Sequence, residues 1–426
     1  MGMKYAVLGI AVLMYALVIA LPHRKVWFTL GSALLVTVLG VVSPAQVFGV
    51  LINWNVLLIY IGSLVIADLF IYSRVPSALA DRIVERSPSL GMGVVFILIM
   101  TGLLSAFVEN VATVLVMAPI ALALADKVKI DARFFLLGLA VMSNLQGTAT
   151  LVGDPPSMIF AGYAGYSFND FFFKDGRPSI FFAIQAAMIV GAVFFFWFYR
   201  KHGKVRIDLP AERIVSWFPT ILLVLLVGGL ALISFFHEGF SILSGAFVFA
   251  LGLVGLAWYA WVRREPKDKV LELVKNLDWE TILFLVGIFV VVGAVAQTGL
   301  LEDLSRALAN FVNGNVLLGF IAIVLLSVLL SGFIDNVPYI IVMLPVAASL
   351  SSALNLKPEL YMFGLLIGSC IGGNLTPFGA SANVVAAGIL KKRGEPMNFG
   401  RWIAVAGPFT VLTTLTAAVF IWLVWR

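Results

Sequence analysis

Three carboxylates, Glu109, Asp154 and Asp335, stand inside hydrophobic stretches of this chain. Glu109-Asn110 and Asp335-Asn336 are acid–amide pairs, and Asp154 belongs to Gly153-Asp154-Pro155-Pro156. Burial makes a carboxyl group hold its proton, and a nearby cation makes it release that proton. Such acids can therefore carry H⁺ or ligate Na⁺. Polar neighbours widen the candidate set. Asn110, Thr113 and Asn336 flank the acid pairs, and Gln146, Thr148, Thr150, Ser157, Asn374, Thr376, Ser381 and Asn383 lie in two glycine-rich stretches. We expect ion or substrate contacts from these amides and hydroxyls, with Glu109, Asp154 and Asp335 as coupling acids. The positions expected for Na⁺ are Glu109, Asn110, Asp335 and Asn336. No Lys or Arg occurs in the four segments that carry the set, so the expected partner of the acids is a transported cation or a proton. The competing reading makes Glu109 and Asp335 helix caps at a hairpin turn, and Asp154 the cap of a Gly-Asp-Pro-Pro turn.

The same pattern occurs twice. Ser105–Gly162 aligns with Ser331–Gly388 without a gap, at a constant shift of 226 positions. Roughly three positions in ten are identical, more than chance allows over such a block. Both copies interrupt apolar runs with Asn, Gly, Pro and a carboxylate at matching places. Groups of that kind are costly in lipid, and a matched pair of them points to a site between repeats.

The elements that must hold these residues are membrane helices. The chain has 426 residues, 62% hydrophobic and 12% charged, with a mean hydropathy of +1.06. A soluble fold of this size cannot bury so much apolar surface. Spans are expected at about 3–22, 26–42, 54–73, 179–199, 215–236, 240–262, 280–299 and 402–425. Two re-entrant hairpins are expected at about 91–125 and 315–353, their tips at the acid–amide pairs, because each arm looks short for a span. Two broken helices are expected at about 134–166 and 360–390, where prolines remove amide donors and bias the preceding residue away from helix. Surface-type helical patterns lie at 74–90 and Leu300–Phe311.

Charge then orients the chain. With each hairpin returning to the side it left, 22 of the 28 Lys and Arg fall on one side, Arg24, Lys25 and the 200–213 cluster included. The positive-inside rule makes that side cytoplasmic. Five crossings per half would turn the second half upside down. The expected fold is therefore an all-α polytopic membrane protein of two inverted repeats, residues 1–200 and 210–426, with both tips and both breaks meeting at mid-membrane. The basic loops follow from topology and not from nucleic acid binding. Asp68 is expected near the membrane interface, and Cys370 as packing. His23, His202 and His237 show no ligand spacing, no phosphate-binding loop is present, and no cofactor or ATPase domain is expected. An intramembrane enzyme finds no support, because no His pairs with a nucleophile.

At these residues the chain resembles a known family. Gly147-Thr148-Ala149-Thr150-Leu151-Val152-Gly153-Asp154-Pro155-Pro156 resembles the first signature of the arsenite permease and P-protein branch of the ion transporter superfamily. Gly372–Val385 resembles the second, and Asp335-Asn336-Val337-Pro338 is similar to hairpin motifs of its sodium/proton antiporters. The resemblance implies a citrate-transporter-like domain, a homodimer, and elevator-type movement of hairpins and broken helices against a fixed scaffold. It implies a secondary transporter of a small inorganic ion, either an arsenite-type anion or Na⁺/H⁺ exchange, driven by H⁺ or Na⁺ in a prokaryotic inner membrane. A gated anion channel on the same scaffold and a sodium-coupled carboxylate symporter are the alternatives. The chain departs from the pattern at Glu109, where Asp or Ser is common, and at Thr376-Pro377-Phe378. It lacks the Ser-Asn-Thr tips of the carboxylate symporters.

Overall fold

The computed structural model describes residues 2–128, 130–200, 213–236 and 239–426. The first half begins with α1 (Gly2–Ala20), α2 (Lys25–Val38), the single turn α3 (Pro44–Gln46) and α4 (Trp54–Tyr72). It continues through α5 (Val75–Glu85), α6 (Leu90–Ser105), α7 (Asn110–Val128), α8 (Ala132–Gly147) and α9 (Pro155–Ala164). A two-stranded antiparallel ribbon, β1 (Phe173–Lys174) and β2 (Arg177–Pro178), precedes α10 (Ile180–Tyr199). The second half holds α11 (Phe218–Phe236), α12 (Ile242–Ala257), α13 (Lys267–Asn276), α14 (Trp279–Gln297) and α15 (Leu300–Val312). It ends with α16 (Val316–Ser331), α17 (Asn336–Ala353), α18 (Glu359–Gly372), α19 (Ser381–Lys392) and α20 (Phe399–Trp425).

Nine helical segments among the described residues are long and apolar enough to cross a membrane: α1, α4, α7, α10, α11, α12 with its continuation to Val262, α14, α17 and α20. Helices α2, α6, α16 and α18 are shorter apolar helices. Two of the long ones differ from expectation. α7 has 19 residues and α17 has 18, so the second arm of each hairpin is not short. Pro119 and Pro345 lie inside these arms without ending them, and α7 runs on through Asp126 and Lys127. α2, by contrast, stops after 14 residues at Val38, short of the expected 42. Part of the basic stretch 263–275, read only as a charged connection, forms α13. Lys129, His202, His237 and most of the 200–213 cluster lie outside the described residues.

Polar caps set where several helices start. Asn53 accepts from the Val56 amide at 3.1 Å to begin α4, and Asp278 accepts from the Thr281 amide at 3.0 Å to begin α14. A tryptophan follows each cap, and its indole N–H donates to a backbone carbonyl upstream, Phe48 at 2.7 Å and Val274 at 2.8 Å. Matching caps on matching spans extend the internal repeat beyond the aligned block.

Two packing groups result. α4 lies along α12, and α2 along α14 with α1 beside them. In the second group α6 and α7 pack on α8, α16 and α17 on α18, α10 on α20, and α19 on α8. The candidate residues lie where the second group meets α2, α4 and α14.

Candidate functional site

Each hairpin turn is tied to the neighbouring helix break by the same bonds. Ser105 Oγ donates to Asn110 Oδ1 at 2.6 Å, and Ser331 Oγ is within hydrogen-bond reach of both Asn336 Oδ1 and the Ser369 carbonyl. The Thr150 hydroxyl donates to the Ala106 carbonyl, and the Thr376 hydroxyl to the Gly332 carbonyl. Ser157 Oγ donates to the Gly147 carbonyl at 3.4 Å, where the second copy has Asn383 Nδ2 on the Gly373 carbonyl at 3.0 Å. Each pair is related by the 226-position shift. Close approach explains the glycines at 147 and 373: a Cβ there would lie 2.4 Å from Asn110 Oδ1 and 3.0 Å from Asn336 Oδ1.

These braces bring four helix starts to one small cavity of about 40 Å³, room for a few waters or one partly dehydrated ion. Its wall contains Glu109 and Asn110 before α7, Asp154 to Pro156 at α9, Asp335 to Val337 at α17, and Ala380 to Ala382 at α19. Of the residues anticipated from sequence, Glu109, Asn110, Asp154, Asp335, Asn336 and Ser381 line it. The capping reading of two acids is also realised. Glu109 Oε2 accepts from the Ala112 amide at 2.9 Å, and Asp335 Oδ1 from the Val337 amide at 3.1 Å. Each uses one carboxylate oxygen as a cap. Asp154 makes no side-chain cap: Pro155 and Pro156 have no amide N–H, and the Ser157 amide donates to the Asp154 backbone carbonyl at 3.0 Å.

The other anticipated residues stand behind the wall. Thr113 donates to the Val108 carbonyl at 3.3 Å and Thr148 to the Asn144 carbonyl at 3.4 Å. Thr150, Ser157 and Thr376 are spent on the braces. Asn374 Nδ2 reaches the Val141 carbonyl at 3.3 Å, and Asn383 Nδ2 the carbonyls of Gly373 and Thr376. Gln146 exchanges amide hydrogen bonds with Gln185 at 3.2 and 3.0 Å. All are buried and partnered, so they hold the breaks in shape. Cys370 is buried as packing, and Asp68 is half-buried in α4, away from the cavity wall.

Five further polar residues of the wall were not among those anticipated from sequence: Lys25, Tyr60, Asn144, Asp278 and Thr281. The Tyr60 hydroxyl donates to Asp278 Oδ2 at 3.0 Å, joining α4 to α14 at the cavity. Lys25 Nζ lies 3.8 Å from Asp335 Oδ2 and 3.6 Å from Glu280 Oε1. The expectation that no basic side chain faces the acids is therefore corrected: one reaches them from the start of α2. Positive-inside counting had already accounted for Lys25, which left no unexplained charge to follow. Tyr60 sits in a helix apolar on every face, so periodicity could not single it out. Asp278 had a visible signal, since an acid precedes a span where Asn53 precedes the corresponding one.

Among the described residues no three His, Cys, Asp or Glu side chains form a metal-holding group. A Na⁺ ion at Glu109, Asn110, Asp335 and Asn336 would need carboxylate, amide and backbone oxygens together. A wider space of about 550 Å³ adjoins the cavity, sharing Lys25, Asp335, Ala380 and Ser381, and extends past His23, Glu280 and Phe333.

The sequence profile of the citrate transporter family, CitMHS, matches residues 14–368 and again 272–426. The chain belongs to the citrate transporter family. Within reach of this citrate transporter family member is an uncharacterized transporter of Mycobacterium tuberculosis, 30% identical over 442 residues that cover 99% of this chain and 98% of the relative. The human P protein is 24% identical over 94% of this chain and 57% of its own length. Among solved structures, the YdaH transporter of Alcanivorax borkumensis superposes with a TM-score of 0.64 at 15% identity, covering 98% of this chain and 97% of that one. MtrF of Neisseria gonorrhoeae, described as illuminating a class of antimetabolite efflux pumps, gives 0.55 at 16% identity, covering 91% and 83%. The family member is thus a helical membrane transporter, and its fold is that of known transporters.

Proposed function

We propose that this protein is a secondary active transporter that couples a small inorganic ion to a proton or sodium gradient, with Na⁺/H⁺ exchange as the favoured reaction. One observation carries the reading: Glu109, Asp154, Asp278 and Asp335 line a single cavity in which Lys25 is the one base among the described lining residues. An excess of acids attracts cations. At an effective dielectric near 20, two like charges 4 Å apart repel by about 4 kcal/mol, so a tricarboxylate entering beside these groups is disfavoured. The cavity is also small for citrate. Protons or Na⁺ would be held by Glu109, Asp154 and Asp335, with Asn110 and Asn336 adding amide oxygens.

A second reading, passage of a small oxyanion, rests on the start of α19. There Ala380 replaces the acid, and the first-turn amides of Ser381 and Ala382 have no intrahelical partner. The matched braces and the matched caps support two inverted repeats, residues 1–200 and 210–426. In this reading the hairpins and broken helices move together as an elevator against α1, α2, α4, α12 and α14. A homodimer and a cytoplasmic position for most Lys and Arg loops belong to the same proposal.

The test is flux in proteoliposomes, with internal pH read while Na⁺, arsenite, silicate, sulfate or citrate is supplied outside. Exchange predicts an alkaline shift of the interior driven by external Na⁺ alone. Uptake of an oxyanion without any H⁺ or Na⁺ dependence, with unitary currents, would replace the reading by a channel.

A further inference from the structure

Lys25 is the first residue of α2, which lies along α14 and not along either hairpin. Its side chain is only 16% exposed, and its Nζ sits 5.5 Å from the centroid of the Phe284 ring. A largely desolvated ammonium needs acidic partners, and the structure gives it two. Glu280 Oε1 on α14 is 3.6 Å away, and Asp335 Oδ2 at the hairpin tip is 3.8 Å away. Asp278, Glu109 and Asp154 are the other acids on the wall of the cavity that Lys25 lines. Both separations exceed the 2.7–2.9 Å typical of a charge-assisted hydrogen bond. The ammonium therefore stands between two carboxylates without being locked to either. Asp335 keeps Oδ1 on the Val337 amide, so Oδ2 is the oxygen that Lys25 and a transported cation must share.

We propose that Lys25 is a resident competitor for the cation site: its ammonium neutralises Asp335 when no transported cation is bound, and a monovalent metal cation arriving at Asp335 Oδ2 displaces it toward Glu280. This rests on the reading of Asp335 as a coupling acid. Glu280 gives the displaced ammonium a second partner, so the exchange strands no buried charge. The apparent cation affinity is then the intrinsic affinity reduced by the fraction of sites that Lys25 occupies.

The test uses purified full-length protein in detergent, with thermal unfolding followed against NaCl or LiCl at ionic strength held constant with choline chloride. Cation binding raises the unfolding midpoint with concentration. Lys25→Gln is expected to lower the half-saturating Na⁺ concentration about tenfold, Lys25→Arg to leave it near wild type, and Glu280→Gln to raise it. Asp335→Asn is expected to abolish the cation response in either background. An unchanged half-saturating concentration in Lys25→Gln overturns the proposal, as does a cation response that survives Asp335→Asn, or no response in both wild type and Lys25→Gln. Lys25→Arg reports whether a lost response is merely misfolding. Proteoliposome exchange is read separately: a shifted half-saturation in a protein that exchanges nothing keeps the competitor and removes the exchange reading.

Discussion

At Asn144 a single amide nitrogen donates to two other amides, Asn374 Oδ1 and Asn383 Oδ1, each at 2.8 Å. Both acceptors come from the other half of the chain. The repeat places Cys370 opposite Asn144, so this junction exists once and not twice. Replacing Asn144 with Leu would leave two buried carbonyl oxygens without their donor, at a cost of about 1–3 kcal/mol each. We expect a lower unfolding midpoint in detergent and loss of flux, whereas Cys370→Ala should alter neither. The junction also shows why ligands and braces were not separable in the sequence. A hydroxyl that binds cargo and one that holds a break both appear as a polar residue in an apolar run. Thr150 and Thr376 looked like ligands and are spent on the carbonyls of Ala106 and Gly332. Ser381 looked the same and does face the cavity. Lys25 and Asp335 are brought together only by tertiary packing, which no local pattern encodes.

The helical elements were far more legible, because apolar run length and chain-breaking residues fix them locally. The stretch read as a hairpin at 91–125 folds as the two helices α6 and α7, and α8 and α9 are separate helices within 134–166. Element ends were less so: α2 stops early, and α7 and α17 continue through Pro119 and Pro345. The junction between hairpin and break yields a test at this scale. Gly147→Ala would push a methyl group into Asn110 Oδ1, displacing the amide that lines the cavity and separating the turn from the break. The expected outcome is at least a tenfold fall in flux with a folded protein by size-exclusion chromatography. Gly373→Ala, whose methyl group would lie 2.9 Å from the Gly379 carbonyl and 3.0 Å from Asn336 Oδ1, should be milder because no atom stands as close as 2.4 Å. Equal, negligible effects from both would mean that the turn–break contact does not hold the site. The two breaks also differ in kind. α9 opens with Asp154 and two prolines, and α19 with Ala380 and free amides, so the first half supplies charge where the second supplies donors.

In the whole molecule, one packing group carries the hairpins and breaks, and another supplies Lys25, Tyr60, Asp278 and Glu280 from α2, α4 and α14. The cavity lies between them, and the only charge of positive sign on its described wall comes from the group without hairpins. In the transport cycle proposed above, that division offers the acids two partners, the lysine of one group or a transported cation. Direct links across the division are few among the bonds described: Tyr15 donates to the Pro338 carbonyl at 3.1 Å, and Lys25 faces Asp335. Both touch the start of α17. The central claim is that the acids at the hairpin tips carry the coupling ion, and one measurement reaches it most directly. Proteoliposomes holding either wild type or the double variant Glu109→Gln with Asp335→Asn are given an inward Na⁺ gradient, and internal pH is followed. The account predicts rapid Na⁺-driven alkalinisation for wild type and a trace at the level of empty liposomes for the double variant. Undiminished pH change in the double variant would contradict it.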